Sequence, residues 1–242
     1  MLALIGGTGF YDWPLLKDTT ECIIETPYGP AKYWLGKYND KEFIFLSRHG
    51  LDHNTPPHAI NYRANIYALK KAGATQVLAL NSVGGLLSKQ KPGDIVMVTD
   101  IIDFTHDRKN TFYNGGEEGL YHVDMSCPYS LSLIKQIVVC AHAAGIKISV
   151  GGIYAVTQGP RFETPSEVRM LAMLGGTVVG MTGAPEVFLA AEAGMEYAAI
   201  CVISNLGCGL TNKKITLEDI QKQMQKSTFE VQQILTIVAE KL

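Results

Sequence analysis

Of the 242 residues, 47% are apolar and 18% are charged, a balance that a disordered chain would reverse, so a packed core is expected. Lys plus Arg (21) against Asp plus Glu (23) gives a net charge of −2 with no long basic run, which argues against sequence-independent nucleic-acid binding. No apolar run approaches ~18 residues, so no membrane-spanning helix is expected, and the length suits one α/β domain over 1–242.

The chain begins on a predicted strand, Leu2–Ile5, that runs straight into Gly6-Gly7. It has neither a basic leader nor a small-residue cleavage site, so it reads as part of the fold and not as a signal peptide. Further strands are predicted at Phe43–Leu46, Val77–Leu80, Ile95–Val98, Ile148–Val156 and Tyr197–Ile203. Their apolar runs are mostly continuous, as in strands covered on both faces. Between them lie helical segments with their own punctuation. Pro57 opens one that runs through Asn61 to Ala72 and stops at Gly73. Ser130–Ala144 forms another, closed by Gly145. Thr164-Pro165-Ser166-Glu167 is a capping box that starts a helix ending at Gly175-Gly176, and Pro185 starts a shorter one ending at Gly194. The last helix begins near Thr216 and carries Leu217, Ile220, Met224, Val231, Ile234 and Val238 on one stripe. Asp107–Tyr129 has no clear period and reads as a long functional or interface loop. The pattern predicts a three-layer α/β/α fold with a central mixed, largely parallel sheet.

Cys22, Cys127, Cys140, Cys201 and Cys208 are odd in number and form no CxxC pair. They read as reduced, buried thiols of a cytoplasmic protein, and no Cys/His cluster suggests a metal site.

Four glycine-containing turns follow predicted strands: Gly6-Gly7-Thr8-Gly9, Arg48-His49-Gly50, Asn81-Ser82-Val83-Gly84-Gly85 and Met181-Thr182-Gly183. In a parallel sheet such loops gather at the carboxyl edge, where ligands bind. Each brings backbone N–H groups, a hydroxyl or a positive charge that suits a phosphate. Arg48 offers a planar fork and His49 a further donor. Taken singly each is equally a tight turn or a solvated loop pair; only convergence would make a site. A dinucleotide-binding module built on Gly6-Gly7-Thr8-Gly9 is the rival of another class. It lacks the third glycine, and Asp12-Trp13-Pro14 interrupts the helix it would need.

Together Gly6-Gly7-Thr8-Gly9, Ser47-Arg48-His49-Gly50, Asn61-Tyr62-Arg63-Ala64-Asn65, Thr157-Gln158-Gly159-Pro160-Arg161-Phe162-Glu163-Thr164 and Gly180-Met181-Thr182-Gly183-Ala184-Pro185-Glu186 resemble the trimeric purine nucleoside phosphorylase and methylthioadenosine phosphorylase family over nearly the whole chain. The resemblance implies a homotrimer that cleaves a purine nucleoside reversibly with phosphate as co-substrate and no cofactor. It implies a phosphate pocket of Thr8, Arg48, His49, Ser82 and Thr182 with Asn81 beside it. Met181 would lie under the sugar and His122 would reach into a neighbouring subunit's site. Phe162, Leu206 and Gly207 would join the substrate pocket, and His58 and Tyr62 would have packing roles.

Three positions bear on the substrate. Family members acting on 6-aminopurines have aspartate where this chain has Asn205, and members acting on 6-oxopurines have asparagine there with glutamate at the position of Glu163. A carboxylate accepts from a purine N1–H, and an amide NH₂ donates to O6 or N7. Adenine would set acceptor against acceptor at Glu163, a mismatch of roughly 1–3 kcal/mol. Inosine-cleaving members present a histidine to the 5′-hydroxyl where this chain has Leu217, which suits a methylthio group and leaves a hydroxyl unpaired. Glu163 also fits a helix-leader acid, Asn205 a strand-end turn and Leu217 a core position. The expectation is phosphorolysis of methylthioinosine, with inosine or guanosine as the alternative and methylthioadenosine third. In that chemistry Asn205, Glu163 and His49 are the catalytic candidates.

Overall fold

The computed structural model describes the chain apart from residues 11, 12, 51, 53, 117, 118, 120 and 242. Nine strands form one mixed sheet: β1 (Leu2–Gly6), β2 (Lys17–Thr26), β3 (Gly29–Tyr38), β4 (Lys41–Ser47), β5 (Gln76–Gly85), β6 (Ile95–Asp103), β7 (Ile148–Val156), β8 (Val178–Gly180) and β9 (Glu196–Leu206). All six predicted strands are present. The reading missed β2, β3 and β8 for physical reasons. β2 and β3 make an antiparallel hairpin at the sheet edge, and β2 turns mostly polar, exposed residues to solvent, so it has no apolar run. β8 is only three residues long.

The order is β2-β3-β4-β1-β5-β8-β7-β6-β9, and β5 also pairs with β9. β5 therefore belongs to two structures. Its first residues pair with β1, and its last two, Gly84 and Gly85, pair with β8 after β1 has ended. Beyond that fork β5, β8, β7, β6 and β9 close on themselves, while β1, β4, β3 and β2 form an open wing. Among the described residues five pairings are parallel and four antiparallel. The β5–β9 register shifts by one residue: Val83 faces Ile203, but Gly84 faces Asn205, so Ser204 is the extra residue of a bulge.

Helices α1 (Tyr62–Lys71), α2 (Leu131–Ala143), α3 (Pro165–Met173), α4 (Gly183–Glu192) and α5 (Leu217–Lys241) cover the sheet. α1 packs against α4, and α2 against α5. Their caps follow the sequence. Asn61 Oδ1 accepts from Ala64 N (3.1 Å) and Ser130 Oγ from Leu133 N (3.2 Å). Thr164 and Glu167 exchange both bonds of the capping box, and a cap of this type is worth ~1 kcal/mol. Pro57 starts a short 3₁₀ turn, Pro57–Ala59, and α1 begins separately after Asn61. In α5 the stripe Ile220, Met224, Val231, Ile234 and Val238 is buried, but Leu217 is 69% exposed, so Leu217 is not a core residue. Residues 107–129 contain no α-helix or strand among those described. Two of the five cysteines, Cys140 and Cys201, are buried; Cys127 is exposed, which corrects the expectation for it. Among the described residues no helix is long and apolar enough to cross a membrane.

Candidate active site

The loops after β1, β4, β7, β8 and β9 and the end of β5 converge, with the start of α5, on a cleft of about 280 Å³; Asn81–Gly85, expected as a turn, instead continue β5, whose pairing with β9 carries them to the cleft. Its floor is set by close packing. At Gly7 a Cβ would lie 2.6 Å from Leu80 O and 2.7 Å from Arg48 Nη1, so only glycine lets the first loop approach both. Thr8 lies beside it on the cleft wall.

Arg48 is buried and its fork is occupied. Nε and Nη2 each donate to Glu186 at 2.7 Å, and Nη1 donates to Leu80 O at 3.1 Å. Tyr197 donates its hydroxyl to the same carboxylate at 2.7 Å. Burial works against the guanidinium charge, and the Glu186 carboxylate outweighs it, so the Arg48 pKa is raised. The expectation of a whole fork for phosphate is thereby corrected. A guanidinium has five N–H groups, three are engaged, and only one on each Nη is left to face an anion. The pair is also net neutral, so Arg48 serves an anion through fixed donors more than through unbalanced charge.

His49 is buried, with Nδ1 at 2.9 Å from Thr55 O. A carbonyl only accepts, so Nδ1 carries a proton. Asn81 on β5 is buried; its Oδ1 accepts from Thr182 Oγ1 at 3.2 Å, which ties β5 to the turn after β8. Ser82 follows it on the cleft wall. Behind Asn81, burial pushes the Cys201 thiol up to about 12, so it stays protonated.

At the other end Glu163 is buried and accepts from Thr157 Oγ1 at 2.6 Å. Asn205, on the far side of the bulge, accepts from Ser204 Oγ at 2.8 Å and donates to Leu206 O at 2.9 Å, leaving one amide N–H. Met181 lies against Gly159, whose φ is +63° and where a Cβ would be 2.5 Å from the Met181 sulfur. Phe162, Gly207, Ile215 and Leu217 complete the mouth.

The structure thus gathers Thr8, Arg48, His49, Asn81, Ser82, Phe162, Glu163, Met181, Thr182, Asn205, Gly207 and Leu217 on one cleft. It does not bring Leu206 there: that side chain packs over Gly85 and lines a neighbouring depression with Lys213 and Lys214. His122 is exposed and outside this cleft. Tyr62 is buried as expected, whereas His58 is exposed. Sequence reasoning missed the roles of Glu186, Tyr197 and Arg108. For Glu186 the signal was available, since a buried arginine in a sheet floor requires a carboxylate. It also missed Gln221, one turn after Leu217 on the same wall.

A profile of the phosphorylase superfamily matches residues 1–240. The chain is similar to a probable 6-oxopurine nucleoside phosphorylase of Moorella thermoacetica, with 45% identity over 226 residues, 93% of this chain and 87% of that one. It is similar to a probable S-methyl-5′-thioinosine phosphorylase of Methanocaldococcus jannaschii, with 43% identity over 230 residues, 93% and 86% of the two chains. Among solved structures, methylthioadenosine phosphorylase from Schistosoma mansoni in complex with adenine superimposes with a TM-score of 0.93 at 31% identity, covering 99% of this chain and 90% of the other.

Proposed function

The chain belongs to the phosphorylase superfamily and is a purine nucleoside phosphorylase, a pentosyltransferase with phosphate as acceptor, and from that premise we propose that its preferred substrate is S-methyl-5′-thioinosine, cleaved to hypoxanthine and 5-methylthioribose 1-phosphate. The observation that carries this reading is the meeting of Glu163, Asn205 and Leu217 on one cleft. Glu163 accepts from N1–H of a 6-oxopurine, and the remaining amide N–H of Asn205 donates to N7 or O6. Leu217 offers a methylthio group apolar contact at the mouth.

Phosphate sits at the floor against Thr8, the two remaining Arg48 N–H groups, His49, Ser82 and Thr182. The C1′–N9 bond breaks ahead of attack, its electron pair passing to the purine. A phosphate oxygen then bonds C1′ from the opposite face, its charge stabilises the oxocarbenium-like sugar, and the proton that hydrogen phosphate gives up goes to the departing purine. Electron density arriving at N7 and O6 is met by Asn205, while Met181 supports the ribose. This is preorganised electrostatic stabilisation, in which one donor is worth ~2.7–4 kcal/mol. The phosphate is nucleophile and co-substrate, and the scheme uses no cofactor. The homotrimer belongs to the same proposal. Met170, Met173 and Leu174 expose apolar surface on and just beyond α3 for burial against a copy, and His122 reaches a neighbour's cleft.

Cleavage of inosine or guanosine is the second reading, favoured by Gln221, whose amide lies on the same wall as Leu217 and suits a 5′-hydroxyl. The deciding experiment is a panel of methylthioinosine, inosine, guanosine and methylthioadenosine, each with and without phosphate. Phosphate-dependent release, fastest from methylthioinosine, is expected. Fastest release from methylthioadenosine would overturn the base assignment, and fastest release from inosine the sugar assignment.

A further inference from the structure

Arg108 lies in the irregular segment that the proposed reaction leaves without a role inside its own subunit. It is half-buried, and among the described residues no carboxylate pairs with it. All its donors go elsewhere. Nη1 donates to Met181 O at 2.8 Å and Ala184 O at 2.6 Å, with Tyr62 Oη also within 3.2 Å. Nη2 donates to Gln158 O at 2.8 Å and lies 3.5 Å from Thr157 O, and Nε donates to Gln158 Oε1 at 3.2 Å. The guanidinium also lies over the Tyr62 ring, 5.5 Å from its centroid.

These acceptors belong to three separate stretches of chain, each carrying part of the cleft. The carbonyls of Met181 and Ala184 bracket Thr182. The carbonyls of Thr157 and Gln158 precede Glu163, and Thr157 Oγ1 itself donates to the Glu163 carboxylate. The Tyr62 hydroxyl, which receives from Arg108, donates to Pro57 O at 2.9 Å, and Pro57 lines the cleft beyond His49. We infer that Arg108 is a positioning residue. It touches neither base nor phosphate, and it fixes the spacing between the Glu163 loop that reads the purine and the Met181-Thr182 turn that holds sugar and phosphate. A planar fork with five fixed N–H groups can hold carbonyls of two separate chain segments at once, which the single ammonium of a lysine cannot do in the same fixed geometry. The inference rests on the proposed site assignments, but the kcat and rescue readouts of its test do not depend on which nucleoside is preferred.

The test compares wild type, Arg108→Lys and Arg108→Ala on whichever nucleoside the wild type cleaves fastest, with phosphate saturating. Arg108→Lys keeps the charge and the aliphatic stem, and a melting curve checks its folding. A misplacement of about 1 Å costs ~100-fold in the extreme, so kcat is expected to fall ~10- to 100-fold in the folded variants, with a smaller change in nucleoside KM. The ratio of 6-oxopurine to 6-aminopurine cleavage should shrink as Glu163 loses its register, and millimolar guanidinium should restore turnover to Arg108→Ala while leaving Arg108→Lys unchanged. Wild-type kcat and base ratio in folded Arg108→Lys would overturn the inference. So would a loss of activity in both variants that only tracks loss of folded protein and that guanidinium leaves untouched.

Discussion

Two arginine–glutamate pairs are bidentate at nearly the same distances, one in the cleft floor and one on the surface beside a neighbouring depression, and the two do different work. In the floor, Arg48 holds Glu186 through two 2.7 Å bonds with both side chains almost wholly buried. On the surface, Arg161 holds Glu167 through its two terminal nitrogens at 2.8 and 2.7 Å, with Arg161 exposed and Glu167 partly exposed. In water the attraction is screened and little is at stake. In the floor neither charge can be left alone, because desolvation has already been incurred. Equal distances therefore say little about energy until burial is known.

The widest break in this comparison is expected from Glu186→Ala. Leaving Arg48 buried without its counterion should cost ~3–5 kcal/mol of folding stability, read by urea denaturation. The double substitution Arg48→Met with Glu186→Leu should recover most of it without recovering phosphate-dependent turnover. Recovery of turnover would remove Arg48 from the phosphate seat. Next comes Asn205→Ala, midway between floor and rim. Its kcat should fall ~100-fold or more while the unfolding midpoint stays nearly in place. Asn205→Asp should move the methylthioadenosine to methylthioinosine ratio up by ~10-fold, and an unmoved ratio would contradict the reading of the base. At the rim, Leu217→His should raise activity on inosine relative to methylthioinosine by a few-fold, and a constant ratio would detach Leu217 from the sugar.

The smallest effect is expected at Arg161–Glu167. The Arg161 guanidinium and the Thr164 backbone N–H hold the Glu167 carboxyl down at about 2, below its ordinary 4.5. A lowered folded-state pKa contributes stability above ~4.5 that is lost as pH falls through about 2. Melting curves of Glu167→Gln and wild type should therefore differ slightly at neutral pH and converge toward pH 2. A gap that widened on acidification would contradict this.

Much of the fold was legible because strands covered on both faces write themselves as continuous Val, Ile, Leu and Ala runs, as in β1 and β9. The β2–β3 hairpin was not, because one exposed edge strand needs no apolar run. In the site, the glycines, Arg48, Glu163 and Asn205 stood out as side chains with obvious chemistry. Arg108 did not, because its partners are mainly backbone carbonyls, which every residue carries alike, gathered from segments about 50 and 70 positions away. Leu206 was misplaced because side chains alternate along β9, so the neighbour of Asn205 faces away from the cleft just beyond the point where the register slips.

That slip is the one residue of excess at Ser204. Side chains alternate along β9, so without the extra residue everything after it would present its opposite face. Loss of a single residue at this point would turn the Asn205 amide away from the cleft without substituting any side chain that lines it. At this point chain length, ahead of residue identity, is the quantity that the chemistry cannot spare.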